Sequence, residues 1–307
     1  MAAVLRLAAD AGQHAFTAHD LGRSCTAWIE AQLPVDVRRS LHHAINERRS
    51  GRAIAGLTVL LALCGWINGG DEGARLAVIG AMPQPNRAHA PQGAMLGRRD
   101  ARRLSAAEAP ELIALVHAIC RRAGLRRMPQ VYLLPAERSM NAYALGTPDE
   151  AVITLTGGLL HGMSRDEVAA IIAHEIAHIR NGDAATMALA AGLNRTIRLV
   201  SAAGLSAMAA RPWSSPALPL MGLLQAAPAI AELLCLALSR IRELAADAFA
   251  LDLISDPATL ASALEKLERH HIGADPSTAF AADDAVTGYL RSHPSTDQRV
   301  SFVHVLA

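Results

Sequence analysis

The stretch His174-Glu175-Ile176-Ala177-His178 restricts this chain more than any other five residues. On a helix, side chains four apart share a face, so both imidazoles can point at one ion. Glu175 lies one step round from His174, where it can reach a metal-bound water without ligating the metal. Zinc lowers the pKa of such a water towards about 7, and a neighbouring carboxylate can take its proton as it attacks a carbonyl. With 13 His and a similar number of Glu, the pattern arises by chance in about two of a hundred such chains.

The surrounding residues make the helix. Ser164 and Glu167 are spaced as a capping box, Val168, Ile171, Ile172 and Ile179 supply an apolar face, and Asn181-Gly182 ends it. Two His and a Glu on an otherwise apolar helix are costly without partners. A catalytic zinc needs a third protein ligand and leaves its fourth position to water. Downstream, Glu243 stands out in the run Ser239-Arg240-Ile241-Arg242-Glu243, with Asp247 one turn later. The competing reading pairs Glu243 with Arg240 or Arg242 on a solvated face.

Composition bears on class. The chain is 51% hydrophobic but only 3% aromatic, so alanine and leucine carry the apolar content and favour helices. Its 307 residues suffice for a sizeable core. A net charge of +1 without a face-long basic run sets nucleic-acid binding aside. Cys25, Cys64, Cys120 and Cys235 are far apart and form no CxxC pair, so reduced, buried thiols are expected. Asp10 and His14 interrupt the region where an export signal needs an unbroken apolar run, so none is expected.

Three stretches raise the question of a membrane. Ala53–Ile67 is uncharged but short of the roughly 20 residues a span needs. Residues 186–210 are long enough but carry Asn194, Arg195 and Arg198, and an Arg at a helix centre costs about 2.5–3.5 kcal/mol on insertion scales. Residues 217–238 are also long enough, with Gln225 and Glu232 inside. Insertion and burial within protein both fit these patterns.

The chain divides as follows. Residues 1–52 read as a polar-amphipathic helical region, with Val35, Val37, Leu41 and Ile45 near one face. His42 and His43, adjacent on a helix, point roughly 100° apart and read as solvated. Residues 53–68 form a short hydrophobic segment, a possible membrane anchor, and 69–103 read as a loose linker. Arg48, Arg49 and Arg52 precede the apolar segment, and Arg98, Arg99, Arg102 and Arg103 follow it, so charge does not orient a single crossing. From residue 104 the pattern predicts a helix over Ala106–Arg122 stopped by Gly124, and strands at Val131–Leu134 and Ala151–Thr156. It predicts further helices from about Pro228 to Ser255, from Asp256-Pro257, and after His293-Pro294. The fold class expected is α+β, mainly α, with a small sheet.

Five segments, in order, resemble the HtpX-type membrane metallopeptidases, which also include the CAAX prenyl endopeptidases. They are Asn141–Gly146 (NAYALG), Val152–Leu160 (VITLTGGLL), His174–Asp183 (HEIAHIRNGD), Ser239–Asp247 (SRIRELAAD) and His293–Arg299 (HPSTDQR). The resemblance covers roughly 104–307, and that stretch is expected to be the peptidase domain. It does not cover 1–52, whose role is unassigned, and it reduces the family's amino-terminal pair of transmembrane helices to Ala53–Ile67.

The resemblance implies a zincin-type fold with an apolar hairpin, 184–238, inserted between the ligand-bearing helices. It implies that His174, His178 and Glu243 hold one Zn2+, that Glu175 is the general base, and that Asp247 hydrogen-bonds a ligand imidazole. His293 is expected near the site as a donor to the developing oxyanion. Asn141, Ala142, Tyr143 and Ala144 are expected on an edge strand to which a peptide substrate adds. Substrates would be unfolded or membrane proteins in quality control. The location implied is the bacterial inner membrane with the catalytic domain facing the cytoplasm, the alternative being a soluble or peripherally bound cytoplasmic enzyme. A latent or inactive zinc-binding scaffold is the alternative function. The oligomeric state has no signature in the sequence.

Overall fold

The computed structural model describes residues 35–82, 101–210, 217–273 and 296–306. Contacts divide the chain into two units, Met1–His42 and His43–Ala307. After helix α1 (Val35–Ala81) come β1 (Arg102–Arg103), α2 (Pro110–Arg122), β2 (Gln130–Leu134), β3 (Ala142–Thr147) and β4 (Glu150–Thr156). They are followed by α3 (Gly157–Gly162), α4 (Arg165–Asn181), α5 (Asp183–Ala209), α6 (Ala217–Ile254), α7 (Pro257–Gly273) and α8 (Thr296–Leu306). The result is the expected class, mainly helical with a small sheet.

The sheet is mixed, in the order β1-β2-β4-β3. β2 runs parallel to β4, while β3 pairs antiparallel with β4 and forms an edge. Every residue of β4 after Glu150 is buried, which suits its unbroken apolar-and-threonine run. α2 begins four residues later than the sequence predicts. Pro110 disfavours helical backbone at the residue before it, and Ala109 sits at φ −139°, ψ 65°. Pro110 itself then fits the first turn, where its missing N–H costs nothing. The helix stops near Gly124, at φ +73°.

α4 packs against β3, α2, α6 and α7, and its apolar face (Val168, Ile171, Ile172, Ile176, Ile179) joins the core built around Ile153, Leu155 and Leu159. Both halves of the capping box form: the Ser164 hydroxyl accepts from the Glu167 N–H, and the Glu167 carboxylate accepts from the Ser164 N–H. Gly182 closes α4 in the left-handed region, at φ +67°, where a residue with a Cβ is strained.

A second apolar cluster joins α1, α5 and α6 through Leu57, Leu61, Cys64, Leu193, Ile197, Leu224 and Leu238. Here the expected linker is corrected at its start. α1 runs on to Ala81 and is broken at Gly69 and Gly70, the latter at φ +60°. A straight helix would separate residues 65 and 77 by about 18 Å, yet a Cβ on Gly65 would meet the Ala77 Cβ at 2.9 Å and the Gly73 carbonyl at 2.6 Å. The chain therefore doubles back, and Ala77 and Ala81 rejoin the cluster. Ala53–Ile67 is thus the second half of the long arm of a hairpin, ending just before the reversal, and the return arm, Asp71–Ala81, is short. The glycine-rich GGDEG reads as a loop in sequence because it encodes the reversal.

α6 begins at Ala217 and contains Pro228, rather than starting there. The proline gives up one hydrogen bond to the Leu224 carbonyl, a loss that helices in apolar packing tolerate. α5 and the first part of α6 form an apolar hairpin that lies in the chain between His178 and Glu243, as the resemblance implies. His43–Ala81 and Leu218–Ile254 are long and apolar enough to cross a membrane. α5 carries Arg198, which donates to Glu232 at 2.5 Å, and Asn194, which donates to the same carboxylate at 3.3 Å.

Candidate metal centre

α4 presents His174 and His178 one turn apart, and α6 brings Glu243 to them. Donor atoms of the three lie within 4.8 Å of one another. The two Nε2 atoms are 3.0 Å apart, His174 Nε2 is 3.5 Å from Glu243 Oε2, and His178 Nε2 is 3.6 Å from Oε1. Ligands 2.0–2.1 Å from a tetrahedral zinc stand about 3.3–3.4 Å from each other, and these separations bracket that value. Glu243 is only 7% exposed, so the alternative of a solvated ion pair with Arg240 or Arg242 is set aside.

The far side of each ring is held by a carboxylate. His174 Nδ1 donates to Asp247 Oδ1 at 2.9 Å, and His178 Nδ1 donates to Asp183 Oδ2 at 2.5 Å. Each aspartate is gripped in turn by a buried guanidinium. Arg299, from α8, donates to Asp247 through Nε at 2.8 Å and Nη2 at 2.6 Å, and its Nη1 lies 3.6 Å from Glu243 Oε2. Arg242 ion-pairs with Asp183. With both Nδ1 protons committed outward, both Nε2 lone pairs face the same space beside a carboxylate. That arrangement can hold a cation.

Electrostatics agree. Burial and the Arg299 charge push the His174 imidazolium down, but hydrogen bonds to Asp247 and Glu243 prevail and hold its pKa at about 9. Burial and the neighbouring His174 act likewise on His178, and Glu243 and Asp183 prevail there too, raising it. Among the described residues around the rings, the carboxylates of Glu175, Asp183, Glu243 and Asp247 outnumber the guanidiniums of Arg242 and Arg299, and Arg242 is shared with Glu47. A divalent ion balances that excess where protons on the imidazoles otherwise would. The donor set therefore fits zinc.

Glu175 is half-buried on the same turn, close enough to Arg299 for its charge to support that guanidinium. Asn141 precedes β3, its side chain donating to the Tyr143 hydroxyl at 3.0 Å. Ala142, Tyr143 and Ala144 lie on β3, the sheet edge beside α4. His293 lies outside the described residues. Asp183, Arg242 and Arg299 do not emerge from the sequence as site residues. Asp183 and Arg299 stand inside segments that carry the resemblance, and Arg242 enters there only as a partner for Glu243.

Residues 106–306 match peptidase family M48. A curated relative, the Protease HtpX homolog of Salinibacter ruber (strain DSM 13855 / M31), is 35% identical over 277 residues, covering 86% of this chain and 99% of that protein. Among solved structures, the crystal structure of S. mikatae Ste24p aligns at 19% identity with a TM-score of 0.48, over 87% of this chain and 66% of that one.

Proposed function

The chain belongs to peptidase family M48 as an HtpX-like metallopeptidase, and from that premise we propose a membrane-associated zinc endopeptidase acting on unfolded or membrane proteins. The carrying observation is the trio His174, His178 and Glu243, with both outer ring nitrogens tied to carboxylates. Those three residues would hold the ion, with Asp247 and Asp183 fixing the tautomer that offers each Nε2 lone pair. Zinc, when bound, acidifies a water and polarises the scissile carbonyl.

Glu175 takes the proton of the attacking water and passes it to the leaving amine. The β3 edge, from Asn141 through Ala144, offers backbone donors and acceptors to an extended peptide, which favours little side-chain selectivity. His293 is retained as a candidate donor to the developing oxyanion.

Membrane association is supported by two long apolar helices whose apolar windows are only 33% and 17% buried. Because α1 doubles back, the arginines before and after Ala53–Ile67 need not lie on opposite sides. Arg48, Arg49 and Arg52 share the end of α1 at which Glu47 meets Arg242, beside the metal-site helices. By the positive-inside rule this end is cytoplasmic.

The test compares casein cleavage by zinc-loaded wild type and Glu175→Gln, with metal content measured on both. We expect one zinc in each and a loss of cleavage of about 10²–10⁴-fold in the variant. Full residual cleavage by Glu175→Gln would sink the general-base role. Zinc in both with cleavage by neither would bring the latent scaffold forward.

A further inference from the structure

Arg242 stands next to the candidate ligand Glu243 in sequence, yet its contacts go elsewhere. Its side chain is 3% exposed and meets three elements. It ion-pairs with Asp183 at the start of α5. It donates to the Asn181 carbonyl at the end of α4 at 3.2 Å. On α1 it donates to Glu47 Oε1 at 2.7 Å and to Ser50 Oγ at 3.5 Å. Asp183 is the carboxylate that accepts the hydrogen bond from His178 Nδ1. A continuous path of hydrogen-bonded side chains thus joins the apolar hairpin α1 to one metal-binding imidazole.

We infer that Arg242 is a positioning residue for the metal site and that, through Glu47 and Ser50, it makes the placement of His178 depend on how α1 is seated. The inference rests on the zinc-site reading above. A buried guanidinium needs anionic partners, and Asp183 alone would supply one. A carboxylate from a separate helix is the additional element. With Glu47 in place, three donors of Arg242 are directed at once, to α1, to the last carbonyl of α4 and to Asp183. Loss of the α1 contacts leaves the fork free to turn, and Asp183 loses the geometry that fixes the His178 tautomer. The other ring is insulated from this: Asp247 is gripped by Arg299 of α8, which has no partner on α1 among the described residues. A displacement of the hairpin, for example by a bilayer of different thickness, would therefore reach the metal through His178 and leave His174 in place.

The experiment measures zinc affinity by chelator competition on the full chain, for wild type, Asp183→Asn, Arg242→Lys, Glu47→Gln and the Glu47→Gln/Arg242→Lys pair. Partners that orient a ligand typically cost about 10–100-fold when removed, and Asp183→Asn and Arg242→Lys should fall in that range. Glu47→Gln, at a half-exposed carboxylate whose loss leaves the core intact, should weaken zinc several-fold while the thermal midpoint of the metal-free protein hardly moves. Coupling requires that Glu47→Gln add nothing once Arg242 is lysine. Affinities within twofold of wild type for Arg242→Lys and Glu47→Gln, or losses that multiply in the pair, would overturn the inference. A wild type that takes up no zinc would instead overturn the reading of the site itself.

Discussion

Asp247 and Asp183 stand in equivalent relations to the two imidazoles, and the comparison gives a first prediction. Replacing Asp247 with asparagine keeps its shape but removes the charge that binds Arg299 and orients His174. Zinc affinity in Asp247→Asn should fall about 10–100-fold by chelator competition. The metal-free protein should also lose stability, because the buried Arg299 loses its strongest anionic partner. Unchanged affinity would mean that Arg299 alone fixes the ring. His174, Glu175 and His178 are legible in sequence because helical geometry converts their spacing into a shared site. Glu243 and Asp247 are legible only as candidates, since a glutamate beside two arginines reads equally well as a solvated pair. Arg242 and Arg299 are not legible at all: they reach their aspartates across 59 and 52 residues, and no spacing rule covers such separations.

Helix α4 holds its two candidate ligands one turn apart, and both of its ends are firmly fixed. The Glu167 carboxylate, besides closing the capping box, accepts from Lys266 at 2.7 Å and Ser262 at 2.8 Å on α7. Burial alone would raise its pKa, but Lys266, the Ser164 N–H and Ser262 hold it at about 2 instead of the ordinary 4.5. A depressed folded pKa stabilises above the unfolded value and is lost as pH falls towards the folded one. The difference in thermal midpoint between wild type and Glu167→Gln should therefore be constant above about pH 5 and close between pH 4.5 and 2. A gap independent of pH would show that Glu167 acts by packing rather than by charge. At the other end, a Cβ added at Gly182 would meet nothing within 4 Å, so Gly182→Ala faces only the positive φ. A loss of about 1–2 kcal/mol in denaturant unfolding is expected, with weaker zinc binding because Asp183 follows directly. The caps are readable in sequence because they are local. The late start of α2 is readable from Pro110 only when the restriction on its predecessor outweighs alanine's helix preference. The early start of α6 is not readable, because a proline inside an apolar helix and one at its first turn look alike.

The apolar bundle decides where the enzyme works. Trp66, Leu76 and Ile79 on α1, Leu199 on α5 and Leu233 on α6 are each more than half exposed, a pattern that marks contact with lipid or with another protein. The sequence understates this bundle, because the return arm of α1 is too short to register as a span and the arginines of α5 count against it. Those charges are partly answered in the fold: Arg198 and Glu232 pair at 2.5 Å while their side chains stay 54% and 48% exposed. In water such a pair contributes little, and single or double neutralisation would be equivalent within a few tenths of a kcal/mol. In hydrocarbon the variants separate. Arg198→Leu leaves Glu232 uncompensated, and Glu232→Leu leaves a lone arginine, a charge that costs about 2.5–3.5 kcal/mol at a span's centre. Arg198→Leu/Glu232→Leu removes both penalties and replaces an ion pair by apolar contact, which is neutral or stabilising in a dry setting. Retention in the membrane pellet after alkaline extraction should therefore fall for each single variant and return to at least the wild-type level for the double. Equal retention in all four proteins would place the pair in water, and with it the stretch of the α5–α6 hairpin around Arg198 and Glu232 outside the bilayer.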